Sequence, residues 1–211
     1  MSTIFEHSQT TQTSNWERGI VTTVTIFGSG NMGSAIDTVL TAGGASVDHI
    51  GSADPPGPVN GDIVILAVYY AALKDIIGKY ADKLAGKIVV DITNPMNLET
   101  FDSLVVPADS SSAAELATAL PSSRVLKAFN TTFAGTLNAK KVGPMTTTVL
   151  VAGDEADAKA SLIDAVQAGG VEAIDVGGLN RARELEAMGF LQIKLAVGEQ
   201  IGPASGFAVV R

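Results

Sequence analysis

From Val24 to Gly33 the chain reads Val-Thr-Ile-Phe-Gly-Ser-Gly-Asn-Met-Gly. Four β-formers run into a glycine turn, and Met32, Ala35, Ile36, Val39 and Leu40 follow at helical spacing. A strand, then Gly-x-Gly-x-x-Gly, then a helix is the fingerprint of a βαβ unit that holds a dinucleotide. Each glycine has its own task. Gly28 allows the tight turn, Gly30 lets a pyrophosphate approach the backbone, and Gly33 lets the helix pack close to the sheet. Free N–H groups and the dipole at the helix start then face the phosphates. The alternative is a glycine-rich turn with no ligand.

The rest of the chain repeats the alternation. Strands are expected at 21–27, 45–50, 62–68, 87–92, 124–129, 146–152 and 171–176. Helices are expected at 31–42, 70–80, 112–120, from Asp154 onward and over 180–199. Ser112-x-x-Glu115 reads as a capping box. The turn-rich stretch Asp54-Pro55-Pro56-Gly57-Pro58 and Asn60-Gly61 replaces the usual second crossover helix. Repeated βα units predict an α/β fold, a doubly wound parallel Rossmann sheet with a small C-terminal helical appendage. The expected division is a polar N-terminal extension over 1–20, a dinucleotide-binding domain over 21–152, and a C-terminal βα extension over 153–211. The extension 1–20 is expected to be disordered or loosely docked through Trp16, with Val21 an alternative beginning of the chain. Residues 200–211 offer one more edge strand or a docking segment.

Strand two ends in Ile50-Gly51-Ser52, where NAD-binding units usually carry a carboxylate for the ribose. Gly51 and Ser52 therefore favour NADP over NAD, because a 2′-phosphate can accept from a hydroxyl and backbone N–H groups. Asp54 is the alternative ribose acid. Ligands of open α/β sheets sit beyond the carboxyl ends of the strands. Ala67, Val68 and Tyr69 are expected there after strand three, Asn94 and Pro95 after strand four, and Asn130 after strand five. The two carboxamides can orient a nicotinamide amide or a substrate carbonyl, or can simply form turns. Tyr70-x-x-x-Lys74 matches an acid–base pair of short-chain dehydrogenases but sits directly after strand three, where a helix start is the plainer reading. His49, within strand two, reads as structural, and Asp91 as a cap for neighbouring backbone.

Composition narrows the classes. A formal net charge of −8 disfavours nucleic-acid and anionic-membrane partners. The absence of cysteine excludes thiolate catalysis and disulfides. Two histidines, His7 and His49, make a zinc site unexpected. No apolar run approaches a membrane span and no signal-peptide core is evident, so a cytoplasmic protein is expected. No nucleophile elbow or Ser/His/Asp set appears. Hydride transfer between two stacked cofactor rings needs position and dryness more than an acid. The helix over 180–199 carries Leu185, Met188, Leu191, Gln192 and Leu195 as one stripe, with Arg181, Arg183, Glu184 and Glu186 elsewhere. That stripe either packs on its own sheet or forms a homodimer seam, and a homodimer is expected.

Four stretches together, Ile26–Gly33, Val90–Pro95, Lys127–Thr131 and Val151–Asp154, resemble the NADPH-dependent coenzyme F-420 reductase family. These are small Rossmann oxidoreductases related to the oxidoreductase domain of the STEAP ferric reductases. The resemblance runs from about Val21 to Arg211. It implies hydride transfer between a nicotinamide and a flavin or deazaflavin. It implies NADP contacts at Gly28, Ser29, Gly30, Asn31, Met32, Gly33, Ser52, Ala67, Val68 and Asn94. Two departures stand out: Ala53 where the family often has arginine, and Tyr69 where it often has proline. The leading expectation is an NADP-dependent oxidoreductase with a flavin-like or deazaflavin acceptor as small-molecule partner. The alternatives are a non-catalytic dinucleotide-binding redox sensor or subunit, and a reductase of a small carbonyl, quinone or ferric substrate.

Overall fold

The computed structural model describes residues 21–211. The expectations for residues 1–20, including the docking of Trp16, lie outside the described residues.

Strand β1 (Thr23–Phe27) leads through the glycine turn into helix α1 (Asn31–Ala42). Val24, Ile26 and Phe27 are buried on the strand, and Ala35, Ile36, Val39 and Leu40 form the buried face of the helix. Gly43 ends α1 and β2 (Ser46–Ile50) returns parallel to β1. The chain then crosses to β3 (Ile63–Leu66) on the other side of β1 through a loop with no helix, as the proline and glycine content requires. A 3-10 turn (Tyr70–Ala72) opens α2 (Leu73–Leu84), which therefore starts later and runs further than the expected 70–80. Strand β4 (Ile88–Asp91), helix α3 (Ser112–Ala119) and strand β5 (Arg124–Lys127) follow.

Beyond β5 the structure departs from the expected pattern. A short helix α4 (Ala134–Ala139) and a small hairpin, β6 (Lys141–Val142) with β7 (Met145–Thr146), precede β8 (Thr148–Gly153). The hairpin reverses the chain, so β8 pairs antiparallel with β5. Helix α5 (Ala156–Ala168) returns to β9 (Glu172–Gly177), parallel to β8. Asp154 does not start α5, because its carboxylate accepts from the Leu179 N–H at 2.8 Å. A 3-10 turn at Leu179–Arg181 then opens α6 (Ala182–Val197). Residues 200–211 form no strand.

The seven-stranded sheet has the order β2-β1-β3-β4-β5-β8-β9, parallel except at the β5–β8 pair. Strand order reverses at β1, between β2 and β3, which places a crevice at the carboxyl ends of those strands. Two apolar layers cover the sheet. Ile36, Leu40, Leu137 and Leu162 pack on one face from α1, α4 and α5. Leu84, Leu116 and Ala182 pack on the other from α2, α3 and α6. Both faces of β3 and β4 are therefore buried, which is why these strands read as continuous apolar runs.

Candidate functional site

The glycine turn lies on the crevice. Gly28 has φ +99°, and a side chain there would lie 2.5 Å from the Ala67 carbonyl oxygen. A side chain at Gly33 would lie 2.5 Å from the Gly28 carbonyl oxygen, so turn and helix close on each other. Around Gly30 there is open space instead. Ser29, Gly30 and Asn31 are exposed, whereas Met32 and Gly33 turn inward. Gly30 caps α1 without any side-chain hydrogen bond, and no acidic residue occupies its first turn. The first N–H groups of a twelve-residue helix thus face an uncluttered concavity, the arrangement that accepts phosphate. His49 braces this turn from β2. Its ring nitrogens lie 3.1 Å from the Gly28 carbonyl oxygen and 3.0 Å from the Asp37 carboxylate on α1.

At the end of β2 the chain turns at Gly51-Ser52. The Gly51 N–H donates to the Asp54 carboxylate at 2.6 Å, and Ser52 is exposed beside it. Ala67 and Val68, half-buried, follow β3 directly, with the Ala67 N–H donating to the Phe27 carbonyl at 2.9 Å. Tyr69 projects into solvent, 75% exposed.

Asn94 and Asn130 meet after β4 and β5. The Asn130 amide nitrogen donates to Asn94 Oδ1 at 3.0 Å and to the Leu185 carbonyl at 2.8 Å. The Asn94 amide nitrogen donates to the Asn130 carbonyl at 3.1 Å. Asn130 is buried and spends both its N–H donors on the protein, so it shapes the site by holding Asn94. Asn94 is half-buried and Pro95 is buried behind it. Helix α6 seats on the pair at Gly189, where any side chain would collide with Asn94 Oδ1.

Beneath the two asparagines lies a charge cluster that the sequence patterns did not disclose. Lys127, fully buried at the end of β5, donates to Asp91 at 2.9 Å and to the Thr93 carbonyl at 2.5 Å. Its ammonium also lies 2.8 Å from Glu186, placed by α6. All three ammonium protons are thereby used. Glu186 accepts from the Ser112 N–H at 3.0 Å and faces the Ala113 N–H at 3.4 Å. Burial is the largest influence on Glu186 and pushes its carboxyl above the ordinary range, against the pull of Lys127. Glu186 is thus interior rather than on the polar face of its helix, and Asp91 is an ion-pair partner as well as the acceptor for the Thr93 N–H. One signal was available: Asp91 and Lys127, of opposite charge, end neighbouring apolar strands in direct register. The expected capping box does not form, because the cap lies one residue earlier and its N3 position is Ala114. Ser111 caps α3, accepting from Ala114 N–H at 3.0 Å, and Ser112 pairs with Thr93 instead.

Glu115, freed from capping, accepts from the Tyr70 hydroxyl at 2.5 Å. Burial and this carboxylate push the Tyr70 phenol up to about 12. The hydroxyl is thus hydrogen-bonded to Glu115.

A cleft of about 620 Å³ opens beside the α1 N-terminus. It is lined by Asn31, Ser34, Phe133 and Asn138, and by Ala196 and Pro203 from the C-terminal segment. Its α4 wall was not foreseen, because a six-residue helix carries too little periodicity to be read. Among the described residues no helix is long and apolar enough to cross a membrane, and no group of three or more His, Cys, Asp or Glu side chains is placed to hold a metal.

No family model matches the chain. It is 34% identical over 163 residues to the F420-dependent NADP reductase of Methanocaldococcus jannaschii, covering 75% of this chain and 73% of that protein. It is 32% identical over 187 residues to metalloreductase STEAP3 of Rattus norvegicus, covering 78% of this chain but 36% of that protein. A crystal structure from Arthrobacter sp. FB24, provisionally named an F420-dependent NADP reductase, superposes with a TM-score of 0.77 at 22% identity. The match covers 89% of this chain and 99% of that one, and it shows the shared fold.

Proposed function

The chain belongs to the F420-dependent NADP reductase family, and from that premise we propose that it passes hydride between NADP and a deazaflavin or flavin-like acceptor. It is an NADP-dependent oxidoreductase acting on a small-molecule redox partner.

The observation that carries this reading is the open N-terminus of α1 under the Gly28–Gly33 turn. The residues fit the nucleotide. The Asn31–Gly33 amides would take the pyrophosphate, with Ser29 and Gly30 at its edge. Gly51 and Ser52 would meet the adenosine ribose. Ala67, Val68 and Tyr69 would wall the middle, and Asn94 and Pro95, with Asn130 behind them, would border the nicotinamide. The nicotinamide supplies a transferable hydride when bound. The chain's own work is to bind, orient and exclude water, and neither Tyr70 nor His49 is free to serve as a general acid. The cleft beside α1 would receive the acceptor, with Phe133 as an aromatic wall. We also propose that residues 153–211 complete the nucleotide-binding domain. The outer face of α6, where Leu191 is 54% and Val197 53% exposed, would join two copies into a homodimer. Light scattering reads this directly, and a monomer at working concentration overturns it.

The test of function is calorimetric titration with NADPH, then steady-state NADPH oxidation with a deazaflavin, FMN, FAD, a quinone and a ferric chelate. Fastest turnover is expected with the deazaflavin. Tight NADPH binding without turnover of any acceptor overturns the enzyme reading in favour of a dinucleotide sensor.

A further inference from the structure

The turn after β2 is built around a carboxylate. The Asp54 side chain folds back and accepts from the Gly51 N–H at 2.6 Å, and the Asp54 N–H points to the Gly51 carbonyl at 3.3 Å. Gly51 directly follows β2, whose last residue, Ile50, accepts from the Gly28 N–H at 2.9 Å. The carboxylate therefore stands at the strand end next to the glycine turn, where the adenosine ribose of a bound dinucleotide lies.

Among the described residues no ion pair reaches it. Between Arg18 and Lys74 the sequence holds no lysine or arginine. The two lysines that reach the 51–62 loop serve its far side: Lys83 donates to the Gly57 carbonyl and Lys87 to the Gly61 carbonyl, each at 2.7 Å. His49 is engaged by Asp37 and the Gly28 carbonyl, and Asp48, the one acid on β2, accepts from Asn60.

These facts bear unequally on the two nucleotides. A 2′-phosphate carries nearly two negative charges and needs N–H and O–H donors. Here one of the two obvious donors, the Gly51 N–H, is already taken by a group of the phosphate's own charge. A ribose 2′-hydroxyl suits the same turn, since it can donate to a carboxylate. We propose that Asp54 is the nucleotide-selecting residue of this chain, and that it sets a weak preference between NADP and NAD by occupying the phosphate's place. The inference rests on the dinucleotide reading above and deepens it: NADH is a working partner alongside NADPH.

Calorimetry with NADPH and NADH on the full chain tests it, comparing the wild type with Asp54→Asn and Asp54→Glu. Asp54 is exposed, and neither change removes buried contacts. The wild-type dissociation constants should lie within about tenfold of each other, and Asp54→Asn should tighten NADPH by about tenfold or more while leaving NADH unchanged or weaker. Asp54→Glu should behave like the wild type. Added salt should weaken NADPH less in the wild type than in Asp54→Asn, because only the wild type has a repulsion to screen. If both nucleotides bind and their ratio does not move in Asp54→Asn, this inference is overturned and the proposed function stands. If neither nucleotide binds the wild type, both fall together.

Discussion

Helices α1 and α3 both begin near the carboxyl ends of the parallel strands, and they treat their first amides in opposite ways. At α1 no described side chain caps the amides: Gly30 offers no capping oxygen and no acid stands in the first turn. At α3 the protein fills the position itself, with the Ser111 hydroxyl on the Ala114 N–H and the Glu186 carboxylate on the Ser112 N–H. Both arrangements answer the same electrostatics, since unpaired N–H groups and the positive helix end attract an anion. One helix start is completed by an anion brought from 74 residues away in the chain. The other has no side-chain cap, and the proposed function assigns its anion to a bound dinucleotide. The difference separates a helix start that the chain completes itself from one whose proposed partner is a ligand.

The strongest way to break the filled site is Lys127→Met. It strands two buried carboxylates, and unfolding free energy measured by denaturant titration should fall by about 3–5 kcal/mol. A loss under 1 kcal/mol would mean that the cluster is not charged as drawn. The open site is broken by Gly28→Ala, which forces a side chain onto a backbone with φ +99° and against the Ala67 carbonyl. That strain should cost about 1–3 kcal/mol. NADPH affinity should drop at least about tenfold. Lys127→Met protein that still folds should keep a measurable NADPH affinity, which sharpens the contrast.

A third change probes the charge on the filled site. Burial raises the Glu186 carboxyl in the folded protein above its unfolded value. The stability it contributes is therefore fully present below the ordinary glutamate pKa and is lost as pH rises through the raised value. Denaturant titrations across that interval should show wild-type stability falling with pH and Glu186→Gln following a flatter line. Equal slopes would remove Glu186 as the source. The smallest effect is expected from Tyr70→Phe. Its hydroxyl is committed to Glu115, so kcat/KM should stay within about twofold of wild type, whereas an acid role requires a loss of about a hundredfold or more.

The two helix starts also differ in how far the sequence discloses them. The α1 site is written in ten consecutive residues, because a backbone site needs glycines at fixed spacing and β-formers and helix-formers on either side. The sheet was legible for the same reason: each βα unit is local. The α3 site joins Asp91, Thr93, Ser112, Lys127 and Glu186, drawn from four separate segments, and no local period marks it. Glu186 even mimics a surface residue, standing beside Glu184 and Arg183. Asn94 and Asn130 fall between these cases. Their position after strands was readable, but their mutual bonding, which spends both N–H donors of Asn130 on the protein, was not. The reversal at β8 was hidden by a hairpin of two-residue strands, too short for any alternation to show.

The place of Glu186 on α6 has a consequence for how the chain is made. Residues emerge from the ribosome in order, so Asp91 and Lys127 can pair while Glu186 is still unsynthesised. Until then Lys127 lacks its second carboxylate and α3 lacks the acceptor for its first amide. A nascent chain halted after β5 therefore holds a half-closed sheet edge and an incomplete cluster, a state open to chaperones and proteases. The last helix described does more than cover the sheet: it brings Lys127 its second carboxylate and the first amide of α3 its acceptor.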